Sequence, residues 1–178
     1  MSTDIPRTPD DDRERAKPDA TLTRPTRDVR EPDEVVGRLD SMMAALLDDM
    51  DAESGGAESG SGPEEVSVGV AFAGQLSRDG RVVQNSPNFG WRDVAFVEHL
   101  ENSLSAASIH LCNDVDAVLW GEAVAGALVD VDHALAVLVG SGVGGALLVD
   151  GELYTGSGNH AGEIGHNKVV PNGRHCGC

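Results

Sequence analysis

Residues 134–166 read ALAVLVGSGVGGALLVDGELYTGSGNHAGEIGH, and the rest of the chain is organised around them. Residues 134–139 form an apolar run long enough for one buried strand. A glycine-rich break follows, Gly140-Ser141-Gly142-Val143-Gly144-Gly145, before apolar character resumes through Val149. Asp150-Gly151 is then a strong hairpin dipeptide. A glycine-rich turn between strands brings backbone N–H groups close to an anion, because no Cβ stands in the way. A hairpin that merely needs glycine reads the same way. The company it keeps separates the two: Asn113-Asp114 upstream, and Glu163 with His166 downstream.

Working outward, residues 108–112 (SIHLC) predict a strand with Asn113-Asp114 at its carboxyl end. A helix follows at once, its apolar positions being Val115, Val118, Leu119, Ala123, Val124 and Ala127. Further upstream, residues 66–73 predict a buried strand ending at Gly74, Asp79-Gly80 a turn, and residues 81–85 a short extended segment. Residues 86–91 read as a loop, after which Asp93 is placed to cap a helix carrying Val94, Phe96, Val97, Leu100 and Leu104. Pro32-Asp33-Glu34 is a helix start, and Val35, Val36, Leu39, Met42, Met43, Leu46, Leu47 and Met50 recur at helical spacing behind it. Residues 53–62 (ESGGAESGSG) are a flexible polar connector. Residues 1–32 are polar and aperiodic, and are expected to be disordered. Alternating helices and strands give an α/β chain with parallel strands, in which ligands sit at the strands' carboxyl ends. Gly74, Asn113-Asp114 and the glycine run then share one edge.

The chain has 178 residues, with 30 acids against 13 bases and a net charge of −17 at pH 7. Lys17 and Lys168 are its lysines. Such a surface repels nucleic acid and anionic membrane, so neither is expected as a partner. An acid-rich, lysine-poor surface also suits a cytosol full of salt, where screening relieves self-repulsion. No apolar run approaches membrane-spanning length, and the amino terminus has no apolar signal region, so a cytoplasmic location is expected. Three cysteines, two of them at positions 176 and 178, make no disulfide framework.

The segments NSPNFGW (85–91), CNDVDAVLWGEA (112–123), VGSGVGGALLVDGELYTG (139–156), AGEIGH (161–166) and CGC (176–178) are collinear. Together they resemble the ROK family of sugar kinases and sugar-responsive repressors. The GEIGH stretch followed ten residues later by Cys-Gly-Cys is the most specific part. The resemblance implies a partial actin-like, ribonuclease-H-like two-lobe sugar-kinase fold, with sugar and ATP in the cleft between the lobes. It implies transfer of the ATP γ-phosphate to a hexose hydroxyl with magnesium, Asp114 accepting the hydroxyl proton. Asn88, Asn113, Asp114, Glu163 and His166 would contact the hexose, and Ser141, Gly142, Gly144 and Gly145 the ATP phosphates. Asn113-Asp114 could also be simply a helix cap, and Asp116 reads as a first-turn acid favoured by the helix dipole. By the same resemblance His166, Cys176 and Cys178 would hold a structural zinc whose fourth ligand lies beyond Cys178.

On this reading residues 33–131 are part of a first lobe and residues 132–178 the start of a second. Two departures accompany the match. Residues 1–32 contain nothing like the family's opening Asp-x-Gly-Gly-Thr phosphate loop, and the chain stops within the zinc motif. The chain is therefore read as an internal piece of a kinase, inactive alone. Its partner would be a missing complementary segment or a second copy in a homodimer. The alternatives are a sugar-binding regulatory module without catalysis and a non-functional fragment.

Overall fold

The structure is a computed structural model and describes residues 20–26, 29–53, 66–140, 142–173 and 175. Most of the segment expected to be disordered, and most of the 53–62 connector, lies outside the described residues. The elements run α1 (Pro32–Glu53), β1 (Ser67–Phe72), β2 (Gln75–Leu76), β3 (Val83–Ser86), β4 (Trp91–Val94) and α2 (Phe96–Ser103). They continue with β5 (Ser108–Asn113), α3 (Asp114–Ala125), β6 (Ala134–Val139), β7 (Val143–Val149), β8 (Glu152–Leu153) and a 3-10 turn at Ile164–His166.

β1 and β5 pair in parallel, from Ser67 opposite Ser108 to Phe72 opposite Asn113. This pairing delivers Asn113 to the edge where β1 ends. The other two sheets, β2-β3-β4 and β6-β7-β8, are antiparallel. In the turn between β7 and β8, Asp150 (φ 53°) and Gly151 (φ 78°) are both left-handed, the geometry the Asp-Gly dipeptide predicts.

A first core joins α1, α2 and the strands before α3. Val35, Val36, Phe72, Leu76, Val83, Trp91, Phe96 and Leu100 are buried in it. The chain's three phenylalanines and Trp91 stack there, Phe72 on Trp91 at 5.3 Å and Phe89 on Trp91 at 4.9 Å between centroids. Offset aromatic pairs of this kind add about 0.5–1.5 kcal/mol beyond their burial. Trp91 Nε1–H donates to the Arg30 carbonyl at 2.5 Å, fastening the segment before α1 to the sheet. Asp33 turns outward to His99 on α2, 2.6 Å from its Nδ1, while the first amides of α1 donate to the Glu31 carbonyl.

One local expectation is overturned here. Asp93 does not cap α2: it lies in β4 with φ of 51°, and the cap position is Ala95, without a side-chain bond. Pairing with β3 (Val83 opposite Val94, Ser86 opposite Trp91) claims residues that a helical pattern alone assigns to α2.

A second core lies between α3 and the β6–β7 hairpin. Val115, Leu119, Ala146 and Leu148 are buried in it, with Ala123, Ala134 and Ala136 packed around them. α3 meets the sheet on one side only, so Val118 and Val124 of the expected apolar face are exposed, as is Trp120 at 46 %. The opposite face of the sheet shows Leu135, Val137 and Val139 to solvent. α3 thus starts where the first core's strand ends and buries its side chains in the second.

Candidate functional site

At the junction of the two cores is a cavity of about 180 Å³. One wall carries Gly74, Gln75, Asn85, Pro87 and Asn88, from the end of β1 through the β3–β4 turn. Asn113, Asp114 and Val115 form the β5–α3 junction, and Gly144, Gly145, Glu163 and His166 the far wall. A volume below the roughly 300–1,000 Å³ of drug-sized pockets suits one small polar ligand.

Asn113 closes α3. Its Oδ1 accepts from the Val115 amide at 2.8 Å and the Asp116 amide at 3.3 Å, and Nδ2 donates to the Gly74 carbonyl at 3.2 Å. Both lone pairs and one amide hydrogen are thereby committed, which leaves one hydrogen for a ligand. The cap reading and the site reading of Asn113 hold together. Asp114, half-buried at the first helical position, accepts from the Val115 amide at 3.0 Å through Oδ1.

Glu163 and His166 reach the cleft because the loop before them lies flat on β7. A Cβ on Gly145 would sit 2.4 Å from the Gly162 carbonyl oxygen, and one on Gly162, whose φ is 86°, 2.7 Å from that of Gly145. Glycine facing glycine is what lets loop and strand touch. The 3-10 turn then sets His166 Nε2 at 3.5 Å from Glu163 Oε2, the two side chains being 42 % and 29 % exposed. Of the expected phosphate turn, Gly142 closes the β6–β7 connection by accepting from the Gly140 amide at 2.9 Å. Gly144 and Gly145 lie within β7, where Gly144 packs against the Val115 side chain.

Ser141, Cys176 and Cys178 lie outside the described residues. Among the described residues no group of three or more His, Cys, Asp or Glu side chains is placed to hold a metal. No described helix is long and apolar enough to cross a membrane.

The structure adds Gln75, Asn85 and Asp116 to the neighbourhood. Gln75 stands opposite Asn85 across the β2–β3 pair, a contact invisible in a two-residue strand with no periodicity. Asp116 is half-buried, and burial, then Glu163 and Asp114, push its carboxyl above the usual range. The dipole of α3 favours its anion, but those three effects outweigh it. Cys112 is half-buried as a core thiol; burial first, then Asp116 and Asp114, push it up.

The glucokinase of Thermotoga maritima is 36% identical over 118 residues, which are 66% of this chain and 37% of that protein. The xylose repressor of Bacillus subtilis is 27% identical over 64% of this chain and 29% of that one. Among solved structures, the ROK family glucokinase of Streptomyces griseus, in complex with glucose and AMPPNP, superposes with a TM-score of 0.61 at 30% identity. That match covers 76% of this chain and 42% of the other. The chain therefore spans less than half the length of each of these proteins. Its fold is that of the actin-like sugar kinases, in part. The family's sequence profile matches residues 25–178, which contain both walls of the cleft, and the chain belongs to the ROK family.

Proposed function

We propose that this chain builds the hexose-binding cleft of an ATP-dependent sugar kinase of the glucokinase type, with Asp114 as the base. The observation that carries this is the meeting of Asn88, Asn113, Asp114, Glu163 and His166, from three separate stretches, around one cavity. In the transfer, a hexose hydroxyl oxygen attacks the γ-phosphorus of ATP. The new oxygen–phosphorus bond forms as the bond to the β-phosphate oxygen breaks and ADP leaves, and the hydroxyl proton passes to Asp114. Glu163 accepts from further hydroxyls, His166 donates or accepts as its tautomer allows, and Asn113 offers its remaining amide hydrogen. Magnesium would offset charge on the phosphates when bound. By the family resemblance His166, Cys176 and Cys178 would supply three of the four ligands a structural zinc prefers, and no step of the reaction runs through it.

The glucokinases among the relatives support this reading. Because the chain spans less than half of them, hexose binding, not turnover, is proposed of these 178 residues by themselves. The first-lobe phosphate contacts then come from a complementary segment. The setting is a cytoplasm, one rich in salt given the charge of −17. A sugar-binding regulatory module without transfer is the second reading, favoured by the xylose repressor among the relatives.

Titration calorimetry with glucose, with and without magnesium-ATP, tests the proposal beside an assay for hexose-dependent ADP formation. Saturable glucose binding, lost on Asp114→Ala, is expected, without turnover. A well-folded chain that binds no aldohexose at millimolar concentration overturns it.

A further inference from the structure

The loop between β8 and Glu163 touches the first-core half of the molecule at its tip. Asn159, half-buried, is left-handed with φ of 62°, and its Nδ2–H donates to the Ser77 carbonyl at 3.3 Å. The two residues are separated by 82 positions, Ser77 two residues past Gln75 of one cleft wall and Asn159 four before Glu163 of the other. Both ends of this bond are held. On one side the Ala161 amide donates to the Thr155 carbonyl at 3.0 Å, closing the loop, and Gly162 rests on Gly145 of β7. On the other, the Ser77 amide donates to the Val82 carbonyl, the Ser77 carbonyl also accepts from the Gly80 amide, each at 2.9 Å, and the Ser77 Oγ–H donates to Asp79 Oδ1 at 2.5 Å. That turn in turn lies against β5, Gly80 having room for a Cβ only 3.2 Å from the Leu111 carbonyl oxygen.

A continuous path thus runs outside the cleft, from β5, which delivers Asn113 and Asp114, through Ser77 and Asn159 to the residue before Glu163. We propose that Asn159 is a positioning residue: a latch that fixes the spacing between the Asp114 wall and the Glu163 wall, and through it the affinity for the sugar. The second clause rests on the hexose-binding reading above; the latch itself does not. A left-handed asparagine suits the task, because it tolerates that backbone and carries the donor the Ser77 carbonyl accepts.

Two variants of the full chain test it. Asn159→Gly removes the side chain but keeps the left-handed backbone, and Asn159→Asp keeps the shape but sets a carboxylate oxygen against a carbonyl. Hydrogen exchange read by mass spectrometry is expected to quicken in both variants over residues 77–82 and 155–163 together, with β5 and β7 unchanged. Glucose affinity, measured well below the melting temperature, is expected to fall roughly three- to tenfold, the worth of one neutral hydrogen bond. A merely structural role would lower stability and leave the affinity of the folded protein where it was. Exchange that is unchanged, or quickened on one side only, overturns the latch, as does paired quickening with undiminished affinity. Should the parent chain bind no hexose, the hexose reading falls by itself, and the paired exchange still decides whether Asn159 joins the two sides.

Discussion

The side-chain amide of Asn113 donates to the carbonyl of Gly74 at 3.2 Å, tying the carboxyl ends of β5 and β1 together beside the cleft. The same side chain caps α3, so its two functions are separable by substitution. Asn113→Asp keeps the cap acceptor and loses the donor to Gly74; about 1 kcal/mol is expected. Asn113→Ala loses both and is expected to cost about 2 kcal/mol or more. Urea unfolding midpoints check the order, and an alanine variant as stable as the parent would show that the cap contributes nothing.

Glu163→Gln preserves size while removing the charge that strengthens hydrogen bonds from sugar hydroxyls. Glucose affinity by calorimetry is expected to drop roughly tenfold, as for a hydrogen bond to a charged group. His110→Ala, on β5 with its side chain exposed, is expected to bind as the parent does.

Asp116 makes stability depend on pH with a definite sign. Its folded-state carboxyl is raised, first by burial and then by Glu163 and Asp114. Over the window from the ordinary carboxylate range up to the raised value, the folded chain holds this proton more tightly than the unfolded one. This group's contribution to stability is therefore lost as pH rises through that window. Asp116→Asn is expected to melt above the parent at pH 7, with the gap closing as pH falls into the ordinary carboxylate range. A gap that persists unchanged in acid contradicts this origin.

Gly145→Ala is expected to destabilise more than Gly144→Ala. The added methyl at 145 meets the backbone oxygen of Gly162 at 2.4 Å, whereas at 144 it meets the Val115 side chain at 2.7 Å, which can shift. Overpacking of this kind costs about 1–3 kcal/mol. Loss of sugar binding in Gly145→Ala before loss of folding would show the loop lifting off β7.

The alternation of helices and strands and the Asp-Gly turn between β7 and β8 were legible because each rests on local pattern, but the expected parallel arrangement holds for β1 and β5, while β6 pairs antiparallel with β7. The strand-end rule reached Gly74, Asn113-Asp114 and the glycine run, whereas Glu163 and His166 came to the site through the resemblance alone, since neither pattern nor spacing reports a contact across fifty positions. Asp93 went wrong because pairing of β4 with β3 is a tertiary fact that overrides a capping preference. Asp116 is the first-turn acid the sequence shows, and only its surroundings were hidden. A helix's first turn is visible in sequence, but the carboxylates brought against it from Glu163 are not. Val118 and Val124 show the converse, apolar residues at helical spacing for which the sheet offers no second surface.

Of the chain's two tryptophans, one lies in the first core and the other on the outer side of α3. Trp91 is stacked among phenylalanines at 5 % exposure, and Trp120 stands 46 % exposed on the helix whose inner side builds the second core. Their fluorescence should therefore differ in colour, blue-shifted for the enclosed indole and red-shifted for the wetted one. A neutral quencher such as acrylamide reaches Trp120 preferentially. A single spectrum, recorded through a denaturant series, then reports whether the two halves come apart in one cooperative event or in sequence, with no label attached.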